Sequence, residues 1–207
     1  MKMVDIDFAR ATAQDNYKIL LGSIAPRPIA WVSTISAAGI INLAPFSLFN
    51  GVCSDPPALL FCPSTPADRE RKDTLRNIAE TRQFVVNIVT EENVEKANQT
   101  SATLAPDTSE FTAAGLTPLP SHVVKPPRVA ESPVHLECEL IQVVAVGERR
   151  PGSGNVVIGK VVYAHLAEEA WDARRGYIGI AKTKPVARLA GNDYAPVREV
   201  FSLKRPG

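Results

Sequence analysis

Hydrophobic and polar positions alternate most regularly over residues 134–146. Side chains two residues apart share one face of a β-strand, so this run predicts a long strand. Residues 151–154, Pro-Gly-Ser-Gly, form a predicted turn, and 155–166 is the predicted returning strand of a hairpin. One face is expected to be core throughout, while the other changes from polar to apolar halfway, which suits a strand that enters a barrel or a subunit contact. The core face carries Val134, Leu136, Cys138, Leu140, Val144 and Val146, and the second face carries His135, Glu137 and Glu139, then Ile141, Val143 and Ala145.

Shorter apolar runs between turn residues predict further strands, and apolar residues at helical spacing predict short helices. Asp73 is the expected N-cap of the helix over 73–81. Residues 102–130 contain five prolines and predict a long loop that is functional, forms a lid or packs on a partner subunit. The remaining predicted strands span 29–35, 40–44, 57–63 and 84–89, and the remaining predicted helices lie at 15–21 and near 91–99.

Many short strands, few helices and abundant turn residues predict a mainly β protein, a β-barrel with peripheral helices. The 207 residues suit one domain over 1–207, long enough to bury a full core. The 17 prolines indicate interrupted elements rather than long helices.

Charge and cysteine content narrow the function classes. The 23 basic and 22 acidic residues leave a net charge of +1, so no bulk field attracts nucleic acid or an anionic membrane. Three cysteines without a Cys-x-x-Cys pair are interpreted as reduced, mostly buried thiols of a cytoplasmic protein. No apolar run approaches the length of a membrane span, and no signal peptide is expected.

Familiar catalytic motifs are missing from the sequence. There is no Gly-x-Gly-x-x-Gly fingerprint, no Walker phosphate loop and no Gly-x-Ser-x-Gly elbow. The three histidines lack the spacing of zinc ligands, so no metal site is predicted. His122 and His135 are interpreted as surface or interface residues. His165 is interpreted as structural, with a flavin contact or a position at a dimer interface as the alternatives.

A set of segments in a fixed order carries a family resemblance. The most specific pair is PRPIAWVST at 26–34 and NLAPFSLFN at 42–50. With them, the chain resembles the flavin reductase-like family of FMN-binding split barrels over nearly its whole length. The resemblance implies an α+β split barrel, bound FMN, a homodimer, and a redox partner protein such as a monooxygenase. The supporting segments are RKDT at 71–74, VNIV at 86–89, TS at 100–101, EF at 110–111, AGL at 114–116, KPPRVAESPVHLEC at 125–138 and ARLAGNDY at 187–194.

The side chains of these segments also suit FMN when they are considered without the family resemblance. A phosphate needs cations, hydroxyls and backbone N–H groups, which the Arg-Lys-Asp-Thr run before a predicted helix supplies. Amide and hydroxyl side chains suit the ribityl chain and ring edge, and small stiff residues allow close approach to a flat ring. The ordinary alternatives are a turn at the Ser-Thr pair, a solvated helix cap at 71–74, and core packing for the aromatic residues. The predicted cofactor-binding residues are Ser33, Thr34, Asn42, Ala44, Pro45, Phe46, Ser47, Asn50, Arg71, Lys72, Asp73 and Thr74.

One departure from the family pattern bears on activity. Short, two-component flavin reductases carry Gly-Asp-His before an Ile-Gly-x-Val strand, and that histidine contacts the nicotinamide. Aligned on Ile158-Gly159, this chain has Gly152-Ser153-Gly154 instead. Two functions follow: an NAD(P)H-dependent flavin reductase, or a flavoredoxin-like electron carrier reduced by a partner protein. A heme-binding split barrel is a third hypothesis, against which the phosphate-friendly 71–74 segment argues.

Overall fold

The computed structural model of the protein describes residues 1–67, 71–105 and 108–206. Its main feature is a large antiparallel sheet of seven strands, and this confirms the mainly β prediction. The seven strands are β1 (Ala30–Ile35), β2 (Ile41–Phe46), β3 (Phe49–Ser54), β4 (Pro57–Phe61), β5 (Gln83–Ile88), β8 (Val134–Val146) and β9 (Gly154–Leu166). Short strands form three small hairpins: β6 (Pro118–Leu119) with β7 (Arg128–Val129), β10 (Trp171–Asp172) with β11 (Tyr177–Ile178), and β12 (Val186–Arg188) with β13 (Tyr194–Pro196).

The sheet is split between two strands that are neighbours in sequence. Its order is β2-β1-β5-β8-β9-β4-β3, so β2 and β3 are the two edges although only residues 47 and 48 separate them. One cluster of buried side chains draws on six of the strands and on a helix, which shows that the sheet curls around a common interior. The segment 42–50 therefore lies along the split. Sequence analysis missed β3, since this strand has mostly exposed side chains.

The helices lie at the periphery, as predicted. In α2 (Asp73–Thr81), Leu75 and Ile78 face the barrel interior, and the C-cap residue Arg82 has a left-handed backbone conformation. Lys72 is the N-cap of α2 and makes no side-chain capping bond, so the prediction that Asp73 caps this helix was wrong by one residue. The helices are α1 (Ala13–Ser23), α2 (Asp73–Thr81), α3 (Val94–Gln99), α4 (Glu110–Ala113) and α5 (Ile180–Thr183), with a 3₁₀ turn at Glu168–Ala170.

A second apolar layer packs on the outside of β1 and β2. Trp31 and Leu43 point to this side and meet Ala97 of α3 and Phe111 of α4. The described part of the predicted 102–130 loop supplies much of this layer, including α4 and buried Val129, while residues 106 and 107 lie outside the described residues. The described part of the 102–130 segment therefore packs against the barrel of the same chain.

Two β-bulges change the faces of the long β8–β9 hairpin. They lie between Glu137 and Cys138 and between Leu140 and Gln142. A bulge inserts one residue and reverses which side chains face inward. The expectation that one face is core throughout was therefore wrong: Val144 and Val146 are 39% and 54% exposed, while Val143 packs against the interior cluster.

The described residues also bear on the cysteines, on membrane-spanning helices and on clusters of metal-ligating side chains. Cys138 is buried, but Cys62 is half-buried and Cys53 is exposed, so the cysteines are free without being mostly buried. Within these residues, no helix is long and apolar enough to span a membrane. In the same part of the chain, no cluster of three His, Cys, Asp or Glu side chains could hold a metal ion.

Candidate functional site

Polar side chains of β1, β2 and α2 meet at the start of α2, a region we call the α2 corner. Thr34 and Asn42 are paired across β1 and β2, and both are buried. Asn42 Nδ2 donates to Thr74 Oγ1 at 3.0 Å, and Asn77 Nδ2 donates to Thr34 Oγ1 at 3.1 Å. These two hydrogen bonds attach the helix to the sheet edge that borders the split.

The amide oxygen of Asn77 in the α2 corner is buried. Among the residues that the structure describes, Asn77 Oδ1 accepts no hydrogen bond. A buried polar atom without a partner is uncommon and marks a place where a further group can bind. The corner thus combines a network of amide–hydroxyl hydrogen bonds with one amide oxygen, Asn77 Oδ1, that can accept a further hydrogen bond.

Positive charge lies at the N-terminus of α2. Lys72 Nζ lies 5.7 Å from the centroid of the Phe46 ring, and Arg71 precedes it on the surface. Asp73 is ion-paired to Arg76 at 2.5 Å between Oδ1 and Nη2, so its carboxylate is compensated within the helix. The partial positive charge of the helix N-terminus adds to that of the two cations.

The alternation of β1 separates two of the predicted hydroxyls. Ser33 points to the opposite face from Thr34, where its Oγ donates to the Pro127 carbonyl at 2.5 Å and approaches Asn87. Ser33 is fully buried there. The structure therefore brings Thr34 to the α2 corner and leaves Ser33 in the outer layer.

The 42–50 segment divides in the same way. Ala44 and buried Phe46 belong to the interior side with Asn42, whereas Pro45 and Ser47 line a cavity outside the barrel. Asn50 lies exposed on β3, and its Oδ1 accepts from the backbone N–H of Gly51 at 2.8 Å. The structure thus groups Thr34, Asn42, Ala44, Phe46, Arg71, Lys72, Asp73 and Thr74 around the α2 corner, and it places Ser33, Pro45, Ser47 and Asn50 elsewhere along the split or the outer layer.

The cavity outside the barrel has a volume of about 250 Å³. Its floor is apolar and includes buried Val89 and Ala97, and its wall carries Arg188 and Tyr194. The Arg188 guanidinium lies 4.4 Å from the centroid of the Tyr194 ring. We call this the Arg188 cavity. The ARLAGNDY segment at 187–194 supplies both of these wall residues.

A second buried polar group, the carboxylate cluster, surrounds Glu137. Its carboxylate accepts from the backbone N–H groups of His122, Val123 and Val124 at 2.6–3.0 Å and meets His165 Nε2 at 2.6 Å. Burial raises the pKa of Glu137, but these four hydrogen bonds outweigh it and lower the pKa to about 2. The carboxylate therefore fastens the 122–124 segment to β8.

His135 lies next to this cluster and is buried, so its assignment to a surface or interface was wrong. Its Nδ1 lies 2.8 Å from Asn87 Oδ1, an acceptor, which indicates that Nδ1 carries the proton. Burial lowers the pKa of His135 to about 4, and electrostatic interactions with Arg128 and His165 contribute in the same direction. Sequence analysis missed both roles because alternating His, Glu and Glu resembles the solvent face of a strand.

Comparison with known proteins identifies the family. The profile of the flavin reductase like domain matches residues 21–181. The chain belongs to the flavin reductase-like family. Among solved structures it is similar to nitrilotriacetate monooxygenase component B from Bacillus cereus, with a TM-score of 0.92 and 39% identity over 98% of this chain and 100% of that one. It is also similar to the 2-nitrobenzoate 2-nitroreductase NbaA of Pseudomonas fluorescens (TM-score 0.88, 30% identity, 98% and 96% covered) and to the flavoredoxin of Desulfovibrio vulgaris (Miyazaki F) (0.73, 25%, 87% and 91%).

These neighbours confirm the split-barrel prediction and the flavoprotein family. The donor set of the α2 corner fits the cofactor of such proteins. Lys72 and Arg71 beside a helix N-terminus suit a phosphate monoester. Asn42, Thr74 and the unpaired Asn77 amide oxygen suit the hydroxyls of a ribityl chain, and Ala44 leaves room for a flat ring.

The turn that departs from the short flavin reductases lies between β8 and β9. Gly152 has a left-handed backbone with φ +87°, whereas Gly154 is the first residue of β9, where it pairs with Val146 and bridges to Ser64. A Cβ at Gly154 would meet Val146 Cβ at 3.9 Å, an ordinary contact. The position therefore tolerates a side chain, and its glycine is not required by the backbone.

Proposed function

We propose that this protein binds FMN at the α2 corner and is an NAD(P)H-dependent flavin reductase. The observation that carries the proposal is the meeting of Arg71, Lys72 and Thr74 at the N-terminus of α2 with Asn42 and Asn77. A terminal monophosphate suits this set, so FMN is expected to bind in preference to FAD. FMN supplies the hydride-accepting and electron-donating chemistry; the protein binds and orients it.

In this proposal each group of residues has a separate task. Arg71, Lys72 and the start of α2 hold the phosphate, while Asn42 and Thr74 orient the sugar chain. Ala44 and Phe46 lie along the ring, and Asn50 at the split contacts its polar edge. Pro45 and Ser47 face the outer cavity on the opposite side of β2 and have no contact with the ring in this proposal. Ser33 and Thr34 act indirectly, since both hydroxyls are buried in hydrogen bonds that fix β1.

The proposed electron donor is NADH or NADPH, and the proposed acceptor is a partner protein such as a monooxygenase. The name of the Bacillus cereus neighbour, a monooxygenase component, supports such a partner. The alternative is an electron carrier of the flavoredoxin type, which the missing Gly-Asp-His turn favours. A cytoplasmic location and a single domain over 1–207 complete the proposal.

A homodimer with flavins near the subunit boundary is part of the same proposal. The distal part of the β8–β9 hairpin exposes Ile141, Val144 and Val146, and Leu48 and Val52 are exposed at the split. Apolar groups clustered in this way need a cover. Light scattering at micromolar concentration is expected to give twice the monomer mass, and a monomer would contradict the dimer.

Absorbance spectra test the function directly. The purified protein is expected to be yellow or to become so on titration with FMN, and to bleach when NADH or NADPH is added without oxygen. A yellow protein that ignores both nicotinamides would support the carrier instead. A protein that binds no FMN would contradict both functions.

Gly154→His tests the nicotinamide contact. A ring at this position is expected to raise NADH turnover several-fold, because the unaltered protein relies on stacking of the nicotinamide without a side-chain contact. Ser153→His is the matched control one residue away. Rapid turnover of the unaltered protein with a low micromolar KM would show that the nicotinamide binds elsewhere.

A further inference from the structure

The Arg188 cavity concentrates positive charge beside an apolar floor. Arg188 donates to the carbonyl oxygen of Gly191 and stacks on Tyr194. Arg27 lies behind it, joined through backbone pairing to Arg188, and donates to the carbonyls of Leu21 and Leu189 at 2.5 and 2.9 Å. In the described parts of the chain, no carboxylate pairs with either guanidinium.

The two arginines therefore carry charge that neutral carbonyl groups solvate but do not cancel. Arg27 is almost completely buried, and its Nε has no hydrogen-bond partner within residues 1–67, 71–105 and 108–206. Burial lowers the pKa of Arg27, Tyr17 partly offsets this, and the positive charge of Arg188 lowers it again. An anion near Arg188 would relieve the repulsion between the two cations.

The size and lining of the cavity limit its ligand. A volume of about 250 Å³ is below the range of most cofactor sites, so it suits a single-ring compound. Ile29, Val89 and Ala97 form the buried apolar floor, and Tyr17 and Tyr194 are aromatic walls. Asn98, whose Oδ1 accepts from Tyr194 Oη at 3.0 Å, and Ser101 supply polar groups at the rim.

We infer that the Arg188 cavity binds a small aromatic carboxylate, with the carboxylate against Arg188 and the ring on the apolar floor between the tyrosines. The site is separate from the phosphate-type donors of the α2 corner, since Pro45 and Ser47 line the cavity from the face of β2 opposite to Asn42, Ala44 and Phe46. It goes beyond the proposed function, because binding of the carboxylate requires no flavin and no nicotinamide.

Calorimetric titration with benzoate and with benzamide tests this inference. Benzamide has the same ring and no charge, so benzoate is expected to bind at least tenfold more tightly. Acetate provides the charge without the ring and is expected to compete weakly. Equal binding of benzoate and benzamide, equal binding of benzoate and acetate, or no benzoate binding would each overturn the inference.

Variants of Arg188 locate the site. Arg188→Gln is expected to weaken benzoate binding roughly tenfold or more, since charge-assisted bonds are the stronger contacts of such sites. Arg188→Lys keeps the positive charge but loses the planar guanidinium group. Its affinity for benzoate is expected to lie between those of the unaltered protein and of Arg188→Gln. Arg174→Gln, an exposed arginine in the β10–β11 turn, is the matched control and is expected to change nothing.

FMN titration of the same variants separates this site from the cofactor site. FMN affinity is expected to be unchanged by Arg188→Gln, and a parallel loss of FMN and benzoate would overturn the inference by assigning the cavity to the flavin. Circular dichroism checks the fold of each variant. If Arg188→Gln does not fold, Arg188→Lys and the benzoate–benzamide comparison on the unaltered protein decide the question. Absence of flavin reduction would contradict the proposed function and leave the benzoate result standing.

Discussion

The α2 corner and the carboxylate cluster both bury polar side chains, but they differ in how completely these are paired. In the cluster, Glu137 receives three backbone N–H groups and His165. In the corner, the polar side chains are neutral, and the Asn77 amide oxygen accepts no hydrogen bond from the part of the chain that the structure describes. These side chains are Thr34, Asn42, Thr74 and Asn77. A carboxylate whose hydrogen-bonding capacity is filled by the protein cannot bind a ligand. A buried amide oxygen that still lacks a donor, beside a helix N-terminus, can.

The comparison also shows that a strongly shifted pKa does not by itself mark a binding site. The most perturbed carboxyl, Glu137, lies in the saturated cluster and holds a loop, so its low pKa reflects structure. In the α2 corner, Arg71 and Lys72 lie beside the neutral amide and hydroxyl side chains of Asn42, Thr74 and Asn77. Binding chemistry is therefore expected at the corner and not at the most perturbed carboxyl group.

Removing the charge of Glu137 is expected to have the largest effect on stability. Glu137→Gln turns one acceptor oxygen into a donor facing backbone N–H groups, so the free energy of unfolding should fall by about 3 kcal/mol. Urea denaturation at neutral pH measures it. Glu139→Gln, exposed on the same strand, is the matched control. Equal losses of stability in the two variants would show that the hydrogen bonds of the carboxylate cluster do not account for the effect.

Removing the cations of the α2 corner is expected to affect binding and not folding. Arg71→Ala combined with Lys72→Ala should weaken FMN roughly several-fold to a hundredfold, because charge-assisted phosphate contacts are strong. Fluorescence titration of the apoprotein measures the affinity. Arg174→Ala with Arg175→Ala is a control pair of adjacent arginines on another surface. Unchanged FMN affinity in the Arg71 and Lys72 variant would remove the corner from the flavin site.

Acidification is expected to lower the free energy of unfolding through the carboxylate cluster and its neighbour His135, and not through the α2 corner. The expected loss is smaller than that from Glu137→Gln. The pKa of His135 is lowered from 6.5 to about 4, so the unfolded chain binds a proton that the folded chain does not between these values. Stability is therefore full above 6.5 and falls as the pH drops toward 4, by about 1–2 kcal/mol between pH 7 and 5. Glu137, lowered from 4.5 to about 2, adds a second loss only below 4.5.

The matched variant for this pH dependence is His135→Gln, which keeps a donor toward Asn87 and cannot titrate. Urea unfolding at pH 7 and pH 5 is expected to show a smaller difference in the variant than in the unaltered protein. The same difference in both proteins would assign the pH dependence to other groups.

Much of the barrel could be predicted from local pattern. Strands β1, β5, β8 and β9 and helix α2 lie close to where the pattern of apolar residues places them. Strand β3 was missed because its side chains are mostly exposed at the split and give no alternation. Bulges in β8 were missed because inserting one residue leaves the composition of the strand unchanged.

The candidate site could be predicted as a set of segments and not as a geometry. Asn42, Lys72 and Thr74 come together as the segments suggested, but Ser33 and Thr34 separate because neighbouring strand residues face opposite sides. The Arg188 cavity joins residues from α1, β2, α3 and the β12–β13 hairpin. No local pattern predicts such a meeting.

By itself, the sequence determined the mainly β class, the family and the segments that carry its chemistry, because these depend on the order and spacing of residues. The tertiary structure decided which side chains of those segments share a surface and which are buried. Glu137 illustrates the reason: its neighbours in sequence are those of a solvent-facing strand, but a loop that returns from residues 122–124 encloses its carboxylate. Burial and pairing depend on contacts between distant parts of the chain, and these contacts exist only once the barrel has closed.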